Sequence, residues 1–560
     1  MKTKIGKRWL SWYRSGSPWV WLNAGAVTLC MLMVFGLIAV IAVRGFGHFW
    51  TPALLQVTWT DESGSAETLL GRVLAREKIA DHLRTGDGNN IKNNKPIQVL
   101  LGTANRDLAS DTYRWLPEEL LHAATVPADA LIIERNRRGD FYGYPVALVH
   151  QGEVVLAAAD EKFSEELTNY LQRYRLLQKQ LHELERKQLA PLSEAMQTLA
   201  QQQNVVDKNG ANASAVYRQQ ESEEQHAVFQ QEYDSLYQQR AHWLAELSKD
   251  GLQVRTASGD ELEIPLADIL RVTWPNRMSL ADRITDYTEK FVLFVSSAPR
   301  DANTAGGIFP AIFGTVVMVL VMSVLVTPFG VLAAIFLHEY ARQGWFVRLV
   351  RISVYNLAGV PSIVYGIFGL GFFVYIVGGS IDRLFYESSL PAPVFGTPGL
   401  FWAALTMALL TLPVVIVSTE EGLSRIPVSI RHGSFALGAT RTETIWKVVV
   451  PLATPAMMTG LILAVARAAG EVAPLMLVGV VKLAPALPID GSFPYVHLDR
   501  KIMHLGYHIY DSGFQSANSD GTRSLVYASC LVLLLLIVML NMTAIRIRNN
   551  LRRKYRDALE

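Results

Sequence analysis

Six runs of mostly apolar residues set the terms for this 560-residue chain: Trp19 to Val43, Ile308 to Leu337, Ile352 to Val377, Gly399 to Val417, Thr454 to Val480 and Leu525 to Thr543. Crossing about 30 Å of hydrocarbon takes about 20 residues at about 1.5 Å each, so every run has the length of a membrane span. In hydrocarbon each backbone N–H and C=O must find its partner inside the segment, which predicts helices. The first run is longer than the apolar region of a signal peptide, and Val43-Arg44-Gly45-Phe46 offers no small-residue cleavage pattern, so it reads as an uncleaved anchor.

Charge placement orients the spans. Lys2, Lys4, Lys7, Arg8 and Arg14 precede the first run and keep that end in the cytoplasm. Alternation then puts inside the Arg342 to Arg351 connection, the stretch with Arg425, Arg431, Arg441 and Lys447, and the tail with Arg546, Arg548, Arg552, Arg553, Lys554 and Arg556. The opposite connections, Ser380 to Thr397 and Lys482 to Arg523, are longer or less basic for their size. Parity and charge therefore agree on two cytoplasmic termini. The net charge of +2 gives no sign of a nucleic-acid partner, and Cys30 and Cys530 lie in apolar runs, where they read as small buried hydrophobes.

The fifth run contains Ala466-Arg467-Ala468-Ala469-Gly470-Glu471-Val472-Ala473-Pro474-Leu475, which places Arg467 and Glu471 near the middle of a helix from Thr454 to Val480. A charge at bilayer depth costs roughly 2.5 to 3.5 kcal/mol on insertion scales, so it faces a partner or a watery path. The two residues are four apart and share a helix face. A polar path is one reading, and a self-neutralising pair that joins two helices is the other. In the third run, Asn356-Leu357-Ala358-Gly359-Val360-Pro361-Ser362 followed by Gly366, Gly369 and Gly371 predicts a packing face or a bend.

Residues 44–307 between the first two spans form an insert of about 260 residues. Leu167, Tyr170, Tyr174, Leu177, Leu181 and Leu184 step by three and four, and the frame shifts near Pro191 before Leu192, Met196 and Leu199. Phe229, Tyr233, Leu236, Trp243 and Leu247 mark a second arm, with a turn cluster at Asp207 to Asn212 between them. An antiparallel helical hairpin over 160–249 follows. Runs at Ala130 to Ile133, Val146 to Val149, Val154 to Leu156, Leu252 to Val254 and Glu261 to Ile264 predict strands of a small mixed base, with turns at Gly139-Asp140 and Gln151-Gly152.

The segment 419–453 carries the most specific spacing. Arg431-His432-Gly433-Ser434-Phe435-Ala436-Leu437-Gly438 is followed, after nine further residues, by Val448, Val449, Val450 and Pro451. This resembles the coupling loop of ABC importer permeases, with His432, Gly433 and Ser434 at the Glu-Ala-Ala positions, Gly438 at the pattern's glycine, Val448 and Val450 at its Ile and Leu positions, and Pro451 at its close. The departure is His432, where that family carries Glu. A short helix ending at a glycine turn suits a groove on a cytoplasmic partner. The Arg467 to Leu475 stretch, Leu337 to Ala341, Asn356 to Gly366 and Tyr507 to Tyr510 are similar to the A-type permease of phosphate transporters.

The resemblance implies an α-helical membrane protein with the six-span ABC importer permease fold, carrying an inserted soluble α+β domain with a long antiparallel helical hairpin. It implies a bacterial inner-membrane location with 1–18 cytoplasmic, 19–43 the first span, 44–307 periplasmic, 308–545 the permease domain and 546–560 a basic cytoplasmic tail. It also implies Arg467 and Glu471 on a substrate path, His432, Gly433, Ser434, Gly438 and Pro451 in ATPase coupling, and as partners a second permease, an ATPase dimer and a periplasmic phosphate-binding protein. The phosphate-binding loop Gly-x-x-x-x-Gly-Lys-Ser/Thr does not occur, and His338-Glu339 lacks the second His of a zinc protease, so the chain is expected to be no enzyme by itself and to need no cofactor. The alternatives are a permease for another oxyanion such as sulfate, and an envelope sensor or scaffold that works through the hairpin.

Overall fold

The computed structural model describes residues 15–60, 66–78, 97–108, 112–193, 195–196, 199, 213–342, 344–387, 392–491, 493–516 and 519–557. The basic residues before position 15 and the Asp207 to Asn212 turn lie outside them. The chain begins with helix α1 (Ser17–Gly47), whose apolar surface is left almost wholly uncovered by the rest of the chain. Its C-terminal end alone is docked. There Gly45 lets the helix approach the Tyr527 carbonyl and Leu531, and the Arg44 guanidinium sits 5.2 Å from the Tyr527 ring. Cys30 is exposed on α1, contrary to its expected burial, because this helix packs on the chain only at its end.

The insert is built on two antiparallel sheets rather than one mixed base. Strands β1 (Leu55–Thr60), β2 (Ala66–Lys78), β3 (Ile97–Gly102) and β4 (Tyr113–Pro117) form the first, in sequential order. The second contains β5 (Leu131–Arg135), β6 (Phe141–His150), β7 (Glu153–Ala157), β8 (Asp250–Arg255), β9 (Glu261–Pro265) and β10 (Ile269–Thr273), in the order β10-β5-β6-β8-β9 with β7 also on β6. The five expected strands all fall in this second sheet. The first sheet and β10 escaped the sequence reading, since β2 mixes Arg72, Arg76 and Glu77 into its apolar residues and shows no clean alternation. The expected turns are present, with Gly139 at φ +71° and Gly152 at φ +87°.

Pairing of β6 with β8 brings His150 opposite Asp250 and so closes the base of the hairpin. Helix α2 (Phe163–Leu184) leaves that base, and α3 (Ala213–Leu247) returns to it. The Tyr174 hydroxyl donates to the Asp250 carboxylate at 2.8 Å and lies 3.3 Å from the Glu246 carbonyl, while Arg240 donates to Glu185 at 2.7 Å. Partners descend along α3 as they ascend along α2, which makes the arms antiparallel. The frame shift expected at Pro191 occurs earlier, at a π-helical turn over Glu185–Leu189, which adds a residue to the turn and keeps Leu189 and Leu192 buried. Phe163, Leu167, Leu171 and Tyr174 pack with Leu148, Leu252 and Ile264 as the core of this sheet.

Helix α4 (Leu280–Ser296) connects insert and membrane domain. Its start is written as Ser279-Leu280-Ala281-Asp282, a capping box in which Ser279 and Asp282 satisfy each other's backbone N–H. Buried Asp286 on α4 receives Arg271, Lys290 at 3.3 Å and the Thr51 hydroxyl, and Phe49 packs edge-on against Tyr287, Phe291 and Phe294. His48 joins this contact and donates to or accepts from Ser524 at 3.1 Å; burial, then the Arg72 and Lys290 charges, push its pKa down to about 4.

The remaining spans are α5 (Phe309–Tyr340), α7 (Ser362–Phe385), α8 (Leu400–Ser424), α10 (Arg441–Gly470) and α13 (Ser519–Asp557), with α6 (Trp345–Leu357) and α9 (Val428–Ala436) as short helices between them. Six helices thus have membrane-spanning length and composition among the described residues. α8 is the most enclosed. Gly422 lies against Ala456, Gly460 lies against Ser418, and the Ser418 hydroxyl donates to the Ala456 carbonyl at 3.1 Å, so small residues let α8 and α10 close up.

Several boundaries differ from expectation: the fifth span begins at Arg441 rather than Thr454, and the last helix runs on to Asp557 rather than ending at Thr543. The third span does not run from Ile352, because residues up to Leu357 belong to α6 and the chain breaks over 358–361 before α7. Pro361 disfavours helical geometry at Val360 and then opens the next helix itself. The fifth span does not continue to Val480 either. It ends at Gly470, and Glu471 is extended (φ −82°, ψ 138°), since Pro474 has no N–H for the Gly470 carbonyl. Short helices α11 (Leu475–Val478) and α12 (Leu505–Tyr510) follow. Leu252, fully buried between the second sheet and α2, tests the insert's core. Leu252→Ala should destabilise the insert by about 2 to 5 kcal/mol, and pulse proteolysis of the full chain across a urea series should show an earlier midpoint for cleavage within the insert.

Candidate functional site

Arg467 stands in the last turn of α10, where free carbonyls accumulate and a cation is favoured. Its Nε lies 3.4 Å from Oε1 of Glu471, with the side chains 38% and 23% exposed. The expected pair therefore forms, at a helix end rather than in mid-helix. Among the described residues the Nη atoms of Arg467 make no hydrogen bond, which leaves the outer edge of the guanidinium free for an oxyanion.

Glycines hold the broken segment in place. A Cβ on Gly366 would stand 2.7 Å from the Pro474 Cα, and one on Gly506 would stand 2.7 Å from a Val472 methyl. The residues after Gly470 are thus pressed between α7 and α12, with no room for even a methyl group on either side. Gly369 meets Thr406 of α8 in the same way. Of the glycines singled out in the third span, Gly366 and Gly369 are therefore contact residues, whereas Gly359 meets only the Asn356 carbonyl of its own turn and Gly371 faces open space.

At the other end of the bundle, α9 ends at Gly438 with φ +84°, as the glycine-turn spacing predicts. His432, Gly433 and Ala436 are exposed or nearly so, Leu437 is 90% exposed and Phe435 46% exposed, so an apolar surface is offered outward. Ser434 instead turns inward and its hydroxyl lies 2.8 Å from that of Thr444. Pro451 lies within α10, where the chain has already become helical, rather than at its first turn. No ion pair reaches His432 among the described residues.

Its neighbour Arg431 anchors α9, which the sequence reading did not foresee. Arg431 donates to the Leu423 carbonyl at 3.0 Å, the Ile426 carbonyl at 2.8 Å and Glu339 of α5 at 2.8 Å. Arg441 also donates to the Glu339 carbonyl, and Arg351 of α6 pairs with buried Glu420 at 3.4 Å. The presence of His338-Glu339 beside a basic loop was the available signal, but pairing acids with particular bases across 92 residues of separation needs the fold.

A third polar cluster joins the insert to the membrane domain. Asn303, 1% exposed, donates through Nδ2 to the Lys482 carbonyl at 2.9 Å and to Asp511 at 3.2 Å, and Lys482 pairs with Asp511 at 3.1 Å. The Ser512 hydroxyl donates to the Asn303 carbonyl. Arg523 meets Glu77 of β2 at 3.2 Å. The insert is therefore fastened to the connection before α13 rather than tethered by α4 alone.

Residues 326–557 match the family described as binding-protein-dependent transport system inner membrane component. The chain is similar to the phosphate transport system permease protein PstA of Yersinia pestis, 30% identical over 253 residues, 45% of this chain and 76% of that protein. It is also similar to PstA of Mycobacterium leprae, 38% identical over 176 residues, 31% of this chain. That match spans 52% of the Mycobacterium leprae protein, so the chain spans about half the length of this relative. Among solved structures it is similar to the inward facing MetNI methionine ABC transporter, at 16% identity, with 43% of this chain and 94% of that chain covered and a TM-score of 0.31.

Arg431 generates the test of the α9 anchorage. Arg431→Ala should speed tryptic cleavage at Arg425 and Arg441 severalfold, with Arg431→Lys intermediate because it keeps the charge without the guanidinium fork; equal cleavage rates in all three proteins would contradict the anchoring role.

Proposed function

We propose, for a chain that belongs to the PstA family of phosphate transport permeases within the binding-protein-dependent inner membrane components, that it forms half of the translocation path of an ATP-driven phosphate importer. A second permease completes the path, an ATPase dimer drives it and an external phosphate-binding protein feeds it. The chain is the non-catalytic transmembrane subunit, and hydrolysis belongs to the ATPase. The observation that carries this reading is the half-exposed Arg467 guanidinium at the broken end of α10, engaged by Glu471 through one edge only.

In this reading Arg467 presents a planar donor edge to phosphate oxygens, while Glu471 neutralises it when the path is empty. Competition between Glu471 and the anion limits how firmly phosphate is held, which release requires. The break after Gly470 matters because it sets the pair on a segment gripped by Gly366 and Gly506. A relative shift of α7 or α12 would then move the anion site itself. Alternating access is the corresponding mechanism.

Coupling is assigned to α9, with His432, Gly433, Ser434, Gly438 and Pro451 as its working positions. Exposed Phe435 and Leu437 provide an apolar contact for the ATPase, and Arg431 transmits the push to Glu339 at the end of α5. The cytoplasmic placement of both termini, and the periplasmic placement of 44–307, belong to the same proposal and rest on the distribution of Lys and Arg. The two-armed hairpin over 160–249 would project into the periplasm as an accessory to transport. Sulfate or another oxyanion would satisfy the same donors, so the naming of phosphate draws on the family.

Arg467→Ala should abolish phosphate uptake by vesicles containing all subunits while the subunits still co-purify; wild-type uptake would remove Arg467 from the path. Gly438 has a positive φ that proline cannot adopt. Gly438→Pro should leave ATP hydrolysis measurable but drop the phosphate moved per ATP severalfold, and an unchanged ratio would count against coupling through α9.

A further inference from the structure

A cavity of about 490 Å³ lies where the end of α8, the middle of α10 and the tail of α13 meet. Neither the anion path nor the α9 surface uses it. Arg425, Arg548 and Arg552 line it together with the Thr459 hydroxyl, and Ile430 and Pro455 supply an apolar wall. Arg548 is half-buried and its Nη1 lies 3.4 Å from the Thr459 Oγ1. Arg425 has a carboxylate within reach only in exposed Glu421, at 3.8 Å. Among the described residues no carboxylate lies within ion-pair distance of Arg548 or Arg552.

Three guanidiniums around one space repel one another unless an anion enters. The guanidinium fork matches the oxygen pair of a phosphate group, and the volume far exceeds that of a water molecule. The location adds a constraint of its own. Arg548 and Arg552 are carried by the basic end of a membrane span, the position from which clustered arginines engage anionic headgroups. The apolar wall suits a phosphate that arrives attached to a lipid.

We propose that Arg425, Arg548 and Arg552 hold a phosphate group in this cavity, supplied by an anionic phospholipid headgroup or by inorganic phosphate, at a site separate from Arg467. Each basic residue near a membrane surface contributes about a fivefold factor in affinity, so the paired variant Arg548→Gln/Arg552→Gln should bind about 25-fold more weakly. The variant Arg548→Lys/Arg552→Lys should retain most of the charge-dependent binding.

The test uses the assembled transporter carrying Arg467→Ala, so that the path contributes no phosphate binding. In the first arm, native mass spectrometry follows retention of phosphatidylglycerol against phosphatidylcholine after extraction from mixed nanodiscs. In the second, inorganic phosphate is titrated into nanodiscs of phosphatidylcholine alone and followed by phosphorus-31 line broadening. Loss of phosphatidylglycerol retention in the Gln variant, with restoration in the Lys variant, supports the site with lipid as its source. A phosphate titration lost in the same variant supports it with the free ion as source. Equal behaviour of wild-type and Gln cavities in both arms overturns the proposal, and so does loss of the ATPase from the Gln variant with lipid and phosphate binding unchanged, which would make the cavity a protein contact. These readouts involve no transport, so they stand or fall separately from the function of Arg467.

Discussion

The end of α10 at Gly470 is the constraint on which the rest of the membrane domain depends. A span that continued through Glu471 would satisfy its own carbonyls and leave Arg467 one residue among many on a helix flank. Pro474 withholds the donor that the Gly470 carbonyl requires, so the chain turns extended and Arg467 is left at a carbonyl-rich end. The break survives because two glycines allow α7 and α12 to press on it from either side. Packing against the backbone itself, rather than against side chains, makes the position of the Arg467–Glu471 pair sensitive to small movements of its neighbours.

The two ends of the bundle are fastened by different chemistry. On the proposed cytoplasmic side the ties are charged: Arg431 with Glu339, and Arg351 with Glu420. Each links a short surface helix to a span, so a displacement of α9 reaches α5 through a guanidinium fork and not through loop backbone. On the other side buried Asn303 and Asp511, with the more exposed Lys482, join the insert to the connection before α13. The insert is thereby positioned by the permease domain as well as by covalent connection.

Periodicity and composition carried the sequence reading a long way where one interaction type dominated. Membrane spans are legible because hydrocarbon tolerates few charges over about 20 residues, and all six were placed from that rule alone. The hairpin arms were legible from their three-and-four spacing, and the second sheet from its Val, Ile and Leu runs. The first sheet was not, because charged residues interrupt β2 and leave it without a clean alternation. Boundaries failed at Pro361 and Pro474, where a long apolar run concealed a backbone break. A proline inside such a run is compatible with a kinked continuous helix or with two segments, and only the neighbouring contacts select between them.

What the residues determined unaided was the number of spans, the glycine turn at 438 and the presence of an Arg and a Glu that hydrocarbon would not accept without cause. These follow from transfer energies and local backbone rules, which act over a few residues. The tertiary structure decided that α10 stops before Glu471, that Arg431 rather than His432 anchors α9, and that Arg425 joins Arg548 and Arg552 around one cavity. Those outcomes depend on which surfaces meet between segments far apart in the sequence, and no local rule carries that information.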